Sequence, residues 1–121
     1  MPMTIRTTEG PWVETICQGR VSHADIVAHL ALERTQGLLD RPELVDATAA
    51  TADFTADEAR HLYDLVHEIH GSQPLGAVAV VVQDDLTYGM VRMLGMLVDR
   101  VTPVHPFRDR AAASTWLAHL R

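Results

Sequence analysis

The sequence contains no lysine: its ten basic side chains are all arginines, against sixteen acidic ones. A phosphate-binding P-loop and a Schiff-base enzyme both require a lysine amine, so neither chemistry is available to this chain. With a formal net charge of −6, the chain also lacks the basic stripe that binds nucleic-acid phosphates. We therefore expect no nucleic-acid partner.

Cysteine and long apolar runs are also scarce. The single cysteine, Cys17, cannot form an intramolecular disulfide, which is typical of proteins in a reducing compartment. Residues 1–10 show no signal-peptide pattern, and no apolar run approaches the ~20 residues that a membrane span requires. We expect a cytoplasmic protein without a membrane span. Cys17 falls within a predicted strand, away from any helix N-terminus, so we expect an inert core thiol.

What the sequence does contain is typical of one globular domain over residues 1–121, with 47% hydrophobic and 21% charged residues. The predicted strands span residues 4–8, 12–18, 44–48, 77–82 and 104–107, and the predicted helices begin near residues 22, 55, 86 and 109. The order β-β-α-β-α-β-α-β-α indicates an α/β fold. We expect a mixed, mostly parallel β-sheet with an N-terminal β-hairpin and about four covering helices.

Two helix starts carry capping signals. Thr55 and Glu58 form a full capping box, in which each side chain binds the other residue's backbone N–H. Ser22 and Asp25 form a similar pair with aspartate in place of glutamate. The strand at 77–82 is apolar on both sides of its pleat, so we expect it to be covered on both faces.

Several short segments together resemble a known family. They are Leu44–Thr48, Phe54–Thr55, Ala77–Val82 followed by Asp84–Asp85, Tyr88–Met93, Phe107–Asp109 and Ala113–Leu117. In this order they resemble STAS domains, which have the anti-sigma-factor-antagonist fold, and especially the SpoIIAA-like branch that is compared with CRAL-TRIO lipid carriers. The resemblance implies a non-enzymatic, regulatory binding module without a cofactor, which engages a protein partner or an apolar, lipid-like ligand.

The chain departs from that family at one functional motif. Anti-sigma-factor antagonists carry a phosphorylatable serine where a loop enters the second helix. Residues 51–57 contain neither serine nor glycine here, and Thr55 is the hydroxyl at about the right place. The capping role already accounts for Thr55, so the phosphorylation mechanism does not carry over.

Polar residues follow the strand at 77–82, where open α/β sheets bind their ligands. The candidate residues for ligand or partner binding are Asp53, Thr55, Asp84, Asp85, Tyr88, Arg92, Met96 and Arg108. An alternative is an enzyme of undefined class that uses Asp84, Asp85, Tyr88 and Arg92. The plainer interpretation is structural: Asp85 caps the following helix and Arg92 pairs with an acid. No nucleophile or general base is specified, so we predict no enzyme and no catalytic residues.

Three histidines, His61, His67 and His70, lie on one predicted helix. Their spacing differs from that of zinc-protease helices, where two histidines are four residues apart. Acidic residues lie near them in the sequence, which indicates that this face of the helix is exposed to solvent. We therefore predict no metal site.

The predicted helix over 86–101 is unusually apolar. Its apolar side chains fill an arc of about 160°, whereas a helix that covers a sheet needs only ~100° or slightly more. Met96 stands apart, between Arg92 and Arg100. The surplus predicts a second covered surface: a neighbouring helix, a second subunit or an apolar ligand. A homodimer through Val91, Met96 or Val98 is the simplest of these outcomes.

Overall fold

The computed structural model describes residues 2–120 and shows the predicted order of elements. The strands are β1 Met3–Thr7, β2 Val13–Ser22, β3 Glu43–Asp53, β4 Val78–Val82 and β5 Val104–Phe107. The helices are α1 His23–Thr35, α2 Ala56–His70, α3 Asp85–Val98 and α4 Arg110–His119. Within the described residues, none of the helices has both the length and the apolar character needed to cross a membrane.

The five strands form one mixed sheet in the spatial order β1-β2-β3-β4-β5. β1 and β2 pair antiparallel as the predicted hairpin, and every other neighbouring pair is parallel. β5 lies at an edge, as Pro106 predicts, because proline cannot donate a ladder hydrogen bond. β4 is covered on both faces, with Ala79 and Val82 both fully buried.

The helices cover the two faces of the sheet unequally. On one face, Val45, Ala47 and Val82 pack with Ile26 of α1 and Val91 of α3. Helix α2 lies alongside α1 and α3 on that face. On the opposite face, α4 is the one described helix that packs against the sheet, through the cluster Leu44, Ala79, Val81, Ala113 and Leu117. The chain therefore has two separate apolar layers, and only one of them lies under three helices.

Local capping fixes the helix starts. Thr55 Oγ1 accepts from the Glu58 N–H at 3.1 Å, and Glu58 Oε1 accepts from the Thr55 N–H at 2.8 Å. Ser22 and Asp25 form the second capping box, so both predictions are confirmed. The cap predicted for α3 was one residue wrong. Asp84 caps that helix, because its Oδ2 accepts from the Thr87 N–H at 2.9 Å, and Asp85 is already helical.

Three element lengths differ from prediction. β2 and β3 run on in parallel, from the Gln18–Ala49 pair to the Ser22–Asp53 pair. Mutual pairing stabilises this alanine- and threonine-rich extension, which carries little strand signal of its own. α3 ends at Val98, three residues earlier than predicted. Thr102 precedes Pro103, and the residue before a proline is disfavoured in the helical conformation. The helix therefore cannot easily extend through residue 102.

Gly95 allows α3 to lie directly on β5. A Cβ atom at this position would come within 2.1 Å of the Val104 carbonyl oxygen. No side chain fits there without moving the helix, so glycine sets the separation between α3 and the sheet edge.

Candidate functional site

An apolar cavity of about 200 Å³ lies between the sheet and helices α1, α2 and α3. The sheet contributes Cys17, Val45, Ala47, Ala50, Val78 and Val80, and the helices contribute Ile26, Leu30, Leu62, Val66, Val91, Leu94 and Val98. The cavity is partly open to solvent, and a gap of this size between packed layers is unusual, since protein interiors are close-packed.

The alanines of β3 account for much of this space. Ala47 and Ala50 are 5% and 7% exposed and place only a methyl group between the sheet and the helices. Larger β-branched residues occupy β4 at Val78 and Val80, so the deficit is local to the middle strand. The small side chains of β3 thus leave a gap between the sheet and helices α1–α3.

A buried polar cluster lines one part of the cavity. It consists of His29 and Glu33 of α1 with Glu43 of β3, and Thr15 of β2 binds to it. His29 Nε2 lies 2.9 Å from Glu43 Oε2 and 3.3 Å from Glu33 Oε1. The Thr15 hydroxyl donates to Glu43 Oε2 at 2.5 Å. All four residues are at most 6% exposed.

Burial changes the acid–base behaviour of this cluster. Burial, followed by the nearby charge of Glu43 and a hydrogen bond with it, raises the pKa of Glu33 to about 9. Without a cation beside it, the Glu33 carboxyl therefore holds its proton at neutral pH. His29 Nδ1 is also buried and has no hydrogen-bond partner among the described residues.

Cys17 lies on the cavity wall as a protonated thiol. Burial raises its pKa to about 12, and the charges of Glu43 and Asp46 contribute in the same direction. A thiol of this kind is a poor nucleophile. The structure confirms that Cys17 is a core residue, 3% exposed.

The sequence analysis missed the His29–Glu33–Glu43 cluster. The four-residue spacing of His29 and Glu33, which places both on one face of a helix, was the available signal. Glu43 comes from a different element, and nothing local indicates that its side chain faces inward. Charged residues on the apolar face of a predicted helix would have indicated His29 and Glu33.

The predicted site at the carboxyl end of β4 does assemble in part. Arg108 forms an ion pair with Asp85 at 2.6 Å, and its guanidinium lies 4.4 Å from the centre of the Tyr88 ring. Asp84 is committed to its cap, and the hydrogen bonds from Thr87 lower the pKa of its carboxyl group. This keeps Asp84 ionised, which is the wrong state for a general acid.

The other predicted residues lie apart from that group. Asp53 pairs with Arg20 at 2.6 Å, and Thr55 is occupied by its capping box. Arg92 and Met96 line an open groove between α3 and β5, which Tyr88 borders at one end. The eight candidates therefore divide among the Asp85–Tyr88–Arg108 cluster, two helix caps, a separate ion pair and a groove.

The histidines of α2 lie on an exposed face. His61 Nδ1 lies 2.7 Å from His23 Nε2 of α1, and the His67 ring stacks on Tyr63. His70 is exposed near the end of the helix. The structure brings together a pair of histidines here that the sequence did not predict.

The surface assigned to α3 needs correction. Val98 is 2% exposed and Val91 is half-buried, and both line the cavity. They face inward and are not available for an outward contact between subunits. The outer side of α3 instead exposes Leu86 and Met96, at 69% and 73%. Much of the apolar surplus of this helix therefore faces the cavity.

Comparison with known proteins gives one informative similarity. No model of a known protein family matches the chain, and no curated protein does. Among solved structures, the chain is similar to an uncharacterized protein of the DUF3478 family with a SpoIIAA-like fold, from Shewanella loihica PV-4. The two are 18% identical, with a TM-score of 0.59 over 95% of this chain and 93% of that one. The chain has a SpoIIAA-like fold, and the predicted fold class is confirmed.

Proposed function

We propose that this chain is a non-enzymatic binding module that takes up a small apolar molecule between its sheet and helices α1–α3. The apolar cavity of about 200 Å³ is the observation that carries the proposal. The SpoIIAA-like fold suggests a regulatory or binding module and agrees with it.

The volume of the cavity limits the size of the ligand. An engineered apolar cavity of about 150 Å³ in another protein stays dry and binds benzene. The cavity here is of the same order, so it suits a molecule between benzene and indole in size. A complete lipid would require helices α1–α3 to move away from the sheet. We therefore propose a compact apolar or aromatic ligand.

Calorimetric titration with benzene and with indole tests this proposal. We expect saturable binding of one molecule per chain. Ala47→Val narrows the cavity and should weaken binding several-fold, whereas Ala79→Val on the opposite face should leave it unchanged. Equal affinities for the wild type and Ala47→Val, or no saturable binding of either probe, would contradict the proposal.

The enzyme alternative has less support. Asp84 caps a helix, Asp85 and Arg108 form an exposed ion pair, and Tyr88 packs against that arginine. Each side chain thus has a structural role. Burial raises the pKa of the Glu33 carboxyl to about 9, but Glu33 lies in the cavity and not at this edge.

The exposed side of α3 favours a second, compatible role in binding a protein partner. Leu86, Met96 and Leu97 expose apolar side chains there, and a second copy of the chain would cover them. Native mass spectrometry of freshly purified protein tests this. We expect a dimer that Met96→Glu dissociates, and a monomer at high concentration would contradict this role. A lone buried cysteine fits the cytoplasm as the location of the protein.

A further inference from the structure

We infer that His29, Glu33 and Glu43 form a binding site for one divalent transition-metal ion, with Zn²⁺ the best match. Each residue offers one ligand atom, and the three ligand atoms lie within 4.8 Å of one another. This is a different site from the α2 histidines considered above, and the proposal departs from the expectation that the chain has no metal site.

The distances within the cluster are close to those between ligands on a common metal ion. Zinc bonds of 2.0–2.2 Å in tetrahedral geometry place neighbouring ligand atoms about 3.3–3.5 Å apart. His29 Nε2 lies 3.3 Å from Glu33 Oε1 and 2.9 Å from Glu43 Oε2.

A dication would balance the charge of the cluster once both carboxyl groups are ionised. Two carboxyl groups, those of Glu33 and Glu43, are buried side by side. Among the described residues, both form an ion pair with His29 and neither pairs with an arginine. Buried charges are normally paired or coordinate metals. One dication with two carboxylates and a neutral imidazole makes a site with no net charge. One nitrogen and two oxygen ligands suit Zn²⁺ and Fe²⁺ better than Ca²⁺ or Mg²⁺.

The buried ring of His29 leaves one of its two nitrogens without a hydrogen-bond partner among the described residues. The residue is 5% exposed, yet its Nδ1 has no partner in the described part of the chain. Structural polar groups in cores are nearly always satisfied. In a metal site, Nε2 would bind the ion and Nδ1 would carry the ring proton. Three protein ligands leave a fourth position for a water molecule or another donor, and all three residues line the cavity.

The test is a calorimetric titration of the metal-stripped, untagged chain with zinc chloride alone. We expect one equivalent to bind, and Glu33→Gln and His29→Gln each to weaken binding at least tenfold. The control is the double variant His23→Gln, His61→Gln, which removes the exposed histidine pair and should keep the buried equivalent. Circular dichroism establishes that each variant is folded.

Imidazole nitrogen shifts of the wild type provide a measurement that needs no variant. Zinc should move the ring resonances of His29 among the seven histidines. The inference fails if the wild type binds no equivalent of zinc, if binding survives both Glu33→Gln and His29→Gln, or if the shifts fall on His23 and His61. Titration with Co²⁺ in place of Zn²⁺ also distinguishes the buried cluster from the His23–His61 pair. In a buried site with few ligands, Co²⁺ gives the absorption spectrum of tetrahedral coordination.

Discussion

Replacing Ala47 with valine tests whether the space between the sheet and helices α1–α3 is empty. The substitution adds two carbons at a position that lines the cavity and is 5% exposed. Burying each added carbon is worth about 0.8 kcal/mol, so an open cavity allows stabilisation of up to about 1.6 kcal/mol. In a filled core the same change forces side chains aside and costs about 1–3 kcal/mol. The sign of the effect therefore decides the question.

Ala79→Val is the matched control. Ala79 lies on the neighbouring central strand and is fully buried, but it faces α4 on the opposite side of the sheet. It is not among the residues that line the cavity. The same two carbons should overpack this layer and destabilise the fold by about 1–3 kcal/mol.

Urea denaturation measures both changes. We expect the midpoint of Ala47→Val to rise and that of Ala79→Val to fall, with the slope unchanged in each case. If Ala47→Val loses stability as Ala79→Val does, the layer beneath α1–α3 is already full and the reasoning about the ligand is refuted.

Three further predictions follow from individual contacts. Thr55→Ala should lower the free energy of unfolding by about 1 kcal/mol through loss of the α2 cap, and an unchanged urea midpoint would contradict the cap. Gly95→Ala should cost about 1–3 kcal/mol, because its Cβ would meet the Val104 carbonyl, whereas Gly89→Ala on the same helix, with open space around it, should not destabilise. Iodoacetamide at pH 8.5 should alkylate Cys17 at least a hundredfold more slowly in the native protein than in urea, because a pKa of about 12 leaves little thiolate. Equal rates in the two states would show that the thiol is accessible.

The elements that sequence analysis predicted well are those with strong local signals. The capping boxes at Ser22 and Thr55 depend on residues three positions apart, so they mark helix starts without tertiary information. The extension of β3 to Asp53 is different. Its alanines and threonines show no apolar alternation, and pairing with β2 holds it in place. Such long-range stabilisation is not visible in a local pattern.

The candidate site was harder to predict for the same reason. Asp85, Tyr88 and Arg108 lie together at the carboxyl end of β4, where the sequence placed candidate residues, but Asp53 and Arg92 lie elsewhere. The cavity and the His29–Glu33–Glu43 cluster depend on which side chains of α1 face β3. That orientation is set by packing between elements far apart in the sequence.

Nuclear magnetic resonance titration with indole tests the central claim most directly, because it locates the bound molecule. The account predicts saturable shifts in backbone amide resonances of residues that line the cavity, such as Val45, Ala47, Val91 and Val98, with α4 unaffected. Shifts confined to the groove between α3 and β5 or to the α4 face, or no saturable shifts at all, would contradict it.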